Sequence, residues 1–204
     1  MKSSTLYYIH DPMCSWCWGF SQTWGLLAQS LPNEVEIRYV LGGLAPDNNQ
    51  PMDTRTRAYI QHQWRMIQQQ IPGVQFNFDF WEACQPKRST YIACRAVIAA
   101  KNQHPKYEVP MIRAIQQAYY LQAQNPSEKT TLIQLAKALN LDVEQFSQDL
   151  VGEATQQQLN QDIMLAKSLG VRSFPSLVLS CDNQNTLLKI DYNKPDIILA
   201  QILA

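Results

Sequence analysis

Asp11-Pro12-Met13-Cys14-Ser15-Trp16-Cys17-Trp18 is the stretch whose reading decides the fold. Its Cys-x-x-Cys pair follows a short apolar run, Leu6 to Ile9, and precedes a helical pattern. A strand that turns tightly into a helix puts Cys14 at or before the first helical turn. The free main-chain N–H groups there favour negative charge, and thiolate is the nucleophile of disulfide exchange. Cys17 begins a stripe with Phe20, Trp24 and Leu27 at helical spacing, which predicts a core-facing position. The pattern therefore assigns Cys14 as the exposed attacking thiol and Cys17 as the buried resolving thiol. Trp18, four residues after Cys14, falls on the flank that would wall the attacking sulfur.

The chain has 204 residues, of which 46% are hydrophobic and 17% charged, a composition that supports a filled core and argues against disorder. Its 17 basic and 17 acidic side chains cancel, so no electrostatic capture of nucleic acid or anionic lipid is expected. Met1-Lys2-Ser3-Ser4-Thr5 leads into the first strand without a secretory apolar core, and no stretch is long enough to span a membrane. On this reading the protein works in the cytoplasm. Five cysteines with one close pair do not make a disulfide framework.

Outward from the motif, a helix is expected from about Ser15 to Ser30, broken at Leu31-Pro32-Asn33. Val35, Ile37, Tyr39 and Leu41 then alternate as a second strand ended by Gly42-Gly43. This βαβ unit predicts two parallel neighbours. A long helical section follows. Ile60, Trp64, Ile67 and Ile71 mark one helix, and Phe76 to Trp81 an aromatic loop. Tyr91, Cys94 and Ile98 mark another helix, and the next carries Pro110 in its first turn. Asn125-Pro126-Ser127-Glu128 reads as a helix cap ahead of Leu132, Leu135, Ala136 and Leu139. A shorter helix spans Leu141 to Leu150, and the last of the section ends at Gly170. Strands are expected at Ser176 to Cys181 and Leu187 to Asp191, joined by a turn at Asp182-Asn183-Gln184-Asn185, with a closing helix from about Pro195 to Leu203.

Gly170-Val171-Arg172-Ser173-Phe174-Pro175-Ser176 directly precedes the third strand. Proline donates no ladder hydrogen bond, so Pro175 belongs at a strand start or edge. The element order brings this segment beside the first turn of the early helix. Ser173, Phe174 and Pro175 are therefore candidates for holding an extended substrate next to Cys14. Trp16 and Trp18 fit either an apolar platform for substrate or packing against the helical section. His10 fits either a group that tunes the Cys14 thiolate or an ordinary strand-end side chain. Arg172 fits a carboxylate-binding or a solvated loop residue. Cys84, Cys94 and Cys181 supply no second close pair, so no metal is expected. Cys94 reads as a small core residue, Cys181 as a strand residue, and a second redox pair of Cys84 with Cys94 is a minor alternative.

The Cys14-Ser15-Trp16-Cys17 motif after a first strand, Val171-x-x-Phe174-Pro175-Ser176 before the third, and the helical section between resemble the DsbA family of the thioredoxin-like superfamily. Asp11 to Gly19 and Leu41-Gly42-Gly43-Leu44 are similar to its cytosolic branch of FrnE-like proteins and disulfide isomerases. The resemblance implies an α/β thioredoxin-like fold in one domain, with halves at about residues 1–47 and 168–204 and a helical insertion at about 52–167. It also implies that Cys14 attacks, that Cys17 resolves and that the Phe174–Pro175 bond is cis. The expected activity is thiol–disulfide oxidoreduction or isomerisation on protein or small-molecule thiols and disulfides. No cofactor is expected beyond the redox disulfide, with glutathione open as substrate or partner. Ser15-Trp16 departs from the Pro-His pair of periplasmic DsbA, so no histidine inside the motif supports a strong oxidant. Two other classes fit the layout. One is a kappa-class glutathione transferase or isomerase, which activates glutathione with a serine and needs no resolving cysteine. The other is a non-catalytic peptide-binding or chaperone module. The sequence leaves the oligomeric state open.

Overall fold

In a computed structural model describing residues 4–182 and 184–204, β1 (Ser4–His10) runs into α1 (Ser15–Ser30), and the chain returns along β2 (Val35–Leu41). β1 and β2 are parallel, in register from Ser4 opposite Val35 to His10 opposite Leu41. The chain then enters a helical region: α2 (Thr54–Gln70), α3 (Phe80–Ala83), α4 (Tyr91–Gln103), α5 (Glu108–Tyr120), α6 (Lys129–Ala138), α7 (Val143–Asp149) and α8 (Glu153–Ser168). It closes with β3 (Ser176–Cys181), β4 (Gln184–Leu188) and α9 (Pro195–Leu203). The sheet order is β2-β1-β3-β4, with β3 antiparallel to both of its neighbours.

The period-two alternation of β1 splits its side chains between two cores. Leu6 and Tyr8 pack with Phe20, Trp24 and Leu27 of α1 and Ile198 of α9. Ile9, on the other face, joins Val40 and Val178 against Ala166 of α8 and Val171. The stripe Cys17, Phe20, Trp24 and Leu27 is buried as its spacing requires. The helical region has its own core, built on Trp64, Phe80, Tyr120 and Phe146. Fully burying each such large side chain contributes about 1.5–3 kcal/mol.

Three local expectations are corrected. α6 starts at Lys129, after the Asn125–Glu128 segment rather than within it. Asn125 is already committed: its Oδ1 accepts from the Ser127 amide, and its Nδ2 donates to the Gln85 carbonyl. β4 runs over Gln184–Leu188, not from Leu187 to Asp191, so the connection from β3 is shorter than expected. Of that expected turn, Asn183 lies outside the described residues, as do Met1, Lys2 and Ser3 of the N-terminal reading. The aromatic loop also contains a turn of helix, α3, closed by the Cys84 amide on the Phe80 carbonyl.

Candidate active site

Asp11 to Cys14 fold into a tight turn that Asp11 holds twice. Its carbonyl accepts from the Cys14 amide at 3.0 Å, and its Oδ1 accepts from the Met13 amide at 2.8 Å. Asp followed two residues later by a bonded amide is an Asx turn, which mimics a backbone turn. Cys14 is thereby placed as the N-cap of α1, with φ −82° and ψ 117°. Its carbonyl accepts from the Trp18 amide at 3.0 Å, the first bond of the helix ladder. No acidic residue occupies the first turn of α1.

Across from it, Val171 to Pro175 approach β3 through a cis Phe174–Pro175 bond. The Cys14 thiol donates to the Phe174 carbonyl at 3.6 Å. The Phe174 ring lies against Gly42, where a Cβ would come within 2.1 Å of it, so the β2 end must be bare for the loop to close in. Cys17 is fully buried. Burial, and then the neighbouring Cys14 thiol, push its pKa well above that of an ordinary thiol, so the resolving cysteine rests protonated. All five cysteines are free thiols.

Cys14 is only 6% exposed, against the expectation of a surface sulfur. The turn and the Phe174 loop cover it, and it is reached through a groove of about 300 Å³. Trp16, Tyr59 and Ile60 supply apolar walls, and Ser173 and Phe174 line the same groove. The Trp16 indole N–H donates to Gln63 of α2 at 3.0 Å and its ring meets Tyr192 edge-on, so it both packs and lines the groove. Trp18 does not wall the sulfur. Its ring stacks on Tyr120 of α5 at 5.6 Å and its N–H donates to the Gln75 carbonyl, which turns it away from the groove. Pro175 is buried behind the groove rather than lining it.

His10 is fully buried, stacked on Tyr8, with neither ring nitrogen partnered among the described residues. Burial lowers its pKa to about 3, so it is a neutral ring at neutral pH and offers no cation to Cys14. The residue that sequence reasoning passed over is Asp11. Its fully buried carboxylate also accepts from the Leu44 amide at 2.7 Å, from Thr90 Oγ1 at 2.7 Å and from the Cys94 thiol at 3.5 Å. Burial raises its pKa, opposed by those hydrogen bonds, with Thr90 foremost. The Asp-Pro dipeptide ahead of the motif was the available signal, since it marks a turn with a side-chain acceptor. Cys94, buried on α4, is thus a donor that ties the turn to the helical region. Cys84 donates separately to the Ala123 carbonyl at 3.1 Å, so these two thiols are not a pair. Cys181 ends β3, half-buried. Among the described residues, no group of three or more His, Cys, Asp or Glu side chains is placed to hold a metal ion.

A dithiol at a helix N-terminus, facing a cis-proline loop across a β2-β1-β3-β4 sheet, defines the class of thioredoxin-fold proteins, here in the DsbA-like form with helices inserted between β2 and β3. The family model described as Thioredoxin matches residues 7–199, and the chain belongs to that family. It is 28% identical over 207 residues to the ClpXP adapter protein SpxH of Halalkalibacterium halodurans, covering 99% of this chain and 67% of that protein. It spans 58% of the Bacillus subtilis protein of the same name. Among solved structures, a "putative protein disulfide isomerase from Nitrosomonas europaea" superposes with a TM-score of 0.85 at 27% identity, covering 99% of this chain and 96% of that one. Cytosolic disulfide reductase DsbM from Pseudomonas aeruginosa with GSH superposes with a TM-score of 0.76 at 25% identity, covering 98% and 97%.

Proposed function

We propose that the protein is a thiol–disulfide oxidoreductase or isomerase that works through Cys14 and Cys17. The observation that carries this reading is the Cys14 thiol at the N-cap of α1, set against the Phe174 carbonyl and opening on a groove, with Cys17 buried behind it. The Cys14 thiolate attacks one sulfur of a substrate disulfide. A Cys14–substrate disulfide forms, and the other half leaves as a thiolate. Cys17 then attacks the Cys14 sulfur, and its proton passes to the departing thiolate. The Cys14–Cys17 bond closes and the substrate has gained two electrons. Run in reverse, the same steps oxidise a substrate dithiol. Two equivalents of a small thiol of the glutathione class return the enzyme to its dithiol form and leave as their own disulfide, a role supported by the DsbM neighbour solved with GSH. That neighbour's description as cytosolic supports the cytoplasm as the working compartment. Among the described residues, no helix is long and apolar enough to cross a membrane.

Insulin reduction in the presence of glutathione tests the reading. Cys14→Ser should abolish it, and Cys17→Ser should accumulate a mixed disulfide with substrate. Normal reduction by Cys14→Ser would overturn the assignment. Full activity of Cys17→Ser on a small electrophile with glutathione would instead point to a transferase. A second reading is favoured by the name of the sequence relatives: a protein-binding adapter whose groove holds a partner segment. Partner binding unchanged in the Cys14→Ser/Cys17→Ser protein, with no redox activity in the parent, would establish that alternative.

A further inference from the structure

The groove over Cys14 carries a charge pattern that the redox reading does not use. Its lining includes two arginines, Arg88 from the segment ahead of α4 and Arg172 from the loop ahead of β3, and no acidic side chain. Among the described residues, neither guanidinium enters an ion pair or a hydrogen bond, whereas Arg95 is engaged by Asp47. The chain as a whole has zero formal charge, so this is a local concentration of positive charge at the reactive thiol. Arg88 is half-buried and Arg172 exposed, which leaves both able to meet a ligand. A guanidinium matches a carboxylate in a two-point, charge-assisted geometry. The groove, at about 300 Å³, has the size of a small-ligand site rather than of a protein interface.

We propose that Arg88 and Arg172 form a carboxylate clamp, which selects small peptide disulfides bearing free carboxylates near the reacting sulfur. The proposal rests on the thiol–disulfide reading for its chemistry, and names the substrate class of that site. The clamp orients the disulfide over Cys14, and its charge raises the local concentration of anionic substrates over neutral and cationic ones.

The test compares three small disulfides on the full chain: glutathione disulfide, neutral 2-hydroxyethyl disulfide and cationic cystamine. The readout is the ratio of second-order rate constants for oxidation of the pre-reduced Cys14/Cys17 dithiol by each disulfide in a single turnover, which closes the Cys14–Cys17 bond and releases two small thiols; the ratio cancels any change in Cys14 itself because all three use the same sulfur. The wild-type protein should prefer glutathione disulfide, and the preference should shrink as salt is raised. Arg88→Gln/Arg172→Gln should compress the glutathione-to-cystamine ratio by about tenfold or more, and Arg88→Glu/Arg172→Glu should invert it. An unchanged ratio in both variants overturns the clamp. Binding of glutathione disulfide and of cystamine to the Cys14→Ser/Cys17→Ser protein, followed by Trp16 fluorescence, separates this proposal from the redox reading. Arginine-dependent binding of glutathione disulfide alone, with no oxidation of the Cys14/Cys17 dithiol of the parent protein by any of the disulfides, keeps the clamp and removes the oxidoreductase. Binding that ignores the arginines removes the clamp even if the dithiol is oxidised normally.

Discussion

Replacing His10 with phenylalanine should make the protein more resistant to acid. The imidazole is fully buried, stacked on Tyr8 at 5.0 Å and edge-on to Tyr39 at 5.8 Å, with neither nitrogen hydrogen-bonded among the described residues. Burial lowers its pKa from 6.5 to about 3. In the unfolded chain the ring takes up a proton near pH 6.5, but in the native state only near pH 3. Between these values the unfolded state binds more protons, so stability falls as the pH falls. At about pH 4.5, about two units below the unfolded value, the loss is on the order of 2–3 kcal/mol. Phenylalanine cannot lose stability this way, and it removes buried N–H and N groups that lack partners, worth about 1–3 kcal/mol at neutral pH.

The neighbouring groups do not reverse the sign. Tyr8 and Tyr39, which face the ring, have pKa values raised by burial and stay neutral. Asp11 has a raised pKa and acts in the opposite sense, stabilising the fold as the pH falls, but both proteins carry it and it cancels in the comparison. Urea unfolding of wild type and His10→Phe at about pH 7 and pH 4.5, read by tryptophan fluorescence, gives the difference directly. The gap in stability should widen by about 2–3 kcal/mol on acidification. A gap that stays the same at both pH values would falsify the picture of a neutral, unpartnered ring.

Asp11→Ala should lower stability by roughly 3–5 kcal/mol, because the Met13 and Leu44 amides and the Cys94 thiol all lose their acceptor in a buried site; a urea midpoint within error of wild type would refute it. Gly42→Ala should cost about 1–3 kcal/mol by overpacking, since its Cβ would meet the Phe174 ring at 2.1 Å. The displaced Phe174 also carries the carbonyl that accepts from Cys14, so the rate of Cys14 alkylation should change with it. Arg95→Ala should cost about 1–3 kcal/mol. The buried guanidinium binds the Leu150 carbonyl and Gln156, while its ion-pair partner Asp47 is 53% exposed and screened by solvent. A thermal scan with an unchanged midpoint would sink that account.

What the sequence made legible divides by the range of the interactions involved. α1 could be read to its ends, Ser15 and Ser30, because its start, its apolar stripe and its stop at Leu31-Pro32 are all local. β4 could not, because it is an edge strand with Gln184 to Leu187 exposed and only Leu188 buried, so no alternation marks it. Its position is set by pairing with β3. Asn125 imitates a helix cap until the Gln85 carbonyl takes its side chain. Trp18 sits on the helix flank that the spacing indicates, yet Tyr120, about a hundred residues away, draws its ring elsewhere.

The same division runs through the site. The reacting half, Cys14, Cys17 and the turn between β1 and α1, is encoded within a few residues, so the chemistry could be read from them. The other half is assembled from distant segments: Tyr59 and Gln63 of α2, Arg88 ahead of α4 and Arg172 ahead of β3. Nothing in the local pattern around Arg88 signals that it lines the groove of Cys14, since the relation exists only once the inserted helices have packed. Asp11 joins the two halves, bonding the active turn at Met13 and the inserted helices at Thr90 and Cys94. A change in the insertion therefore has two routes to the reaction. Through the groove walls it alters which disulfide is held, and through Asp11 it alters how Cys14 is presented. The substrate ratios proposed for the arginines move by the first route, while Cys14 alkylation rates in a Thr90 variant move by the second. The two effects are therefore separable by experiment.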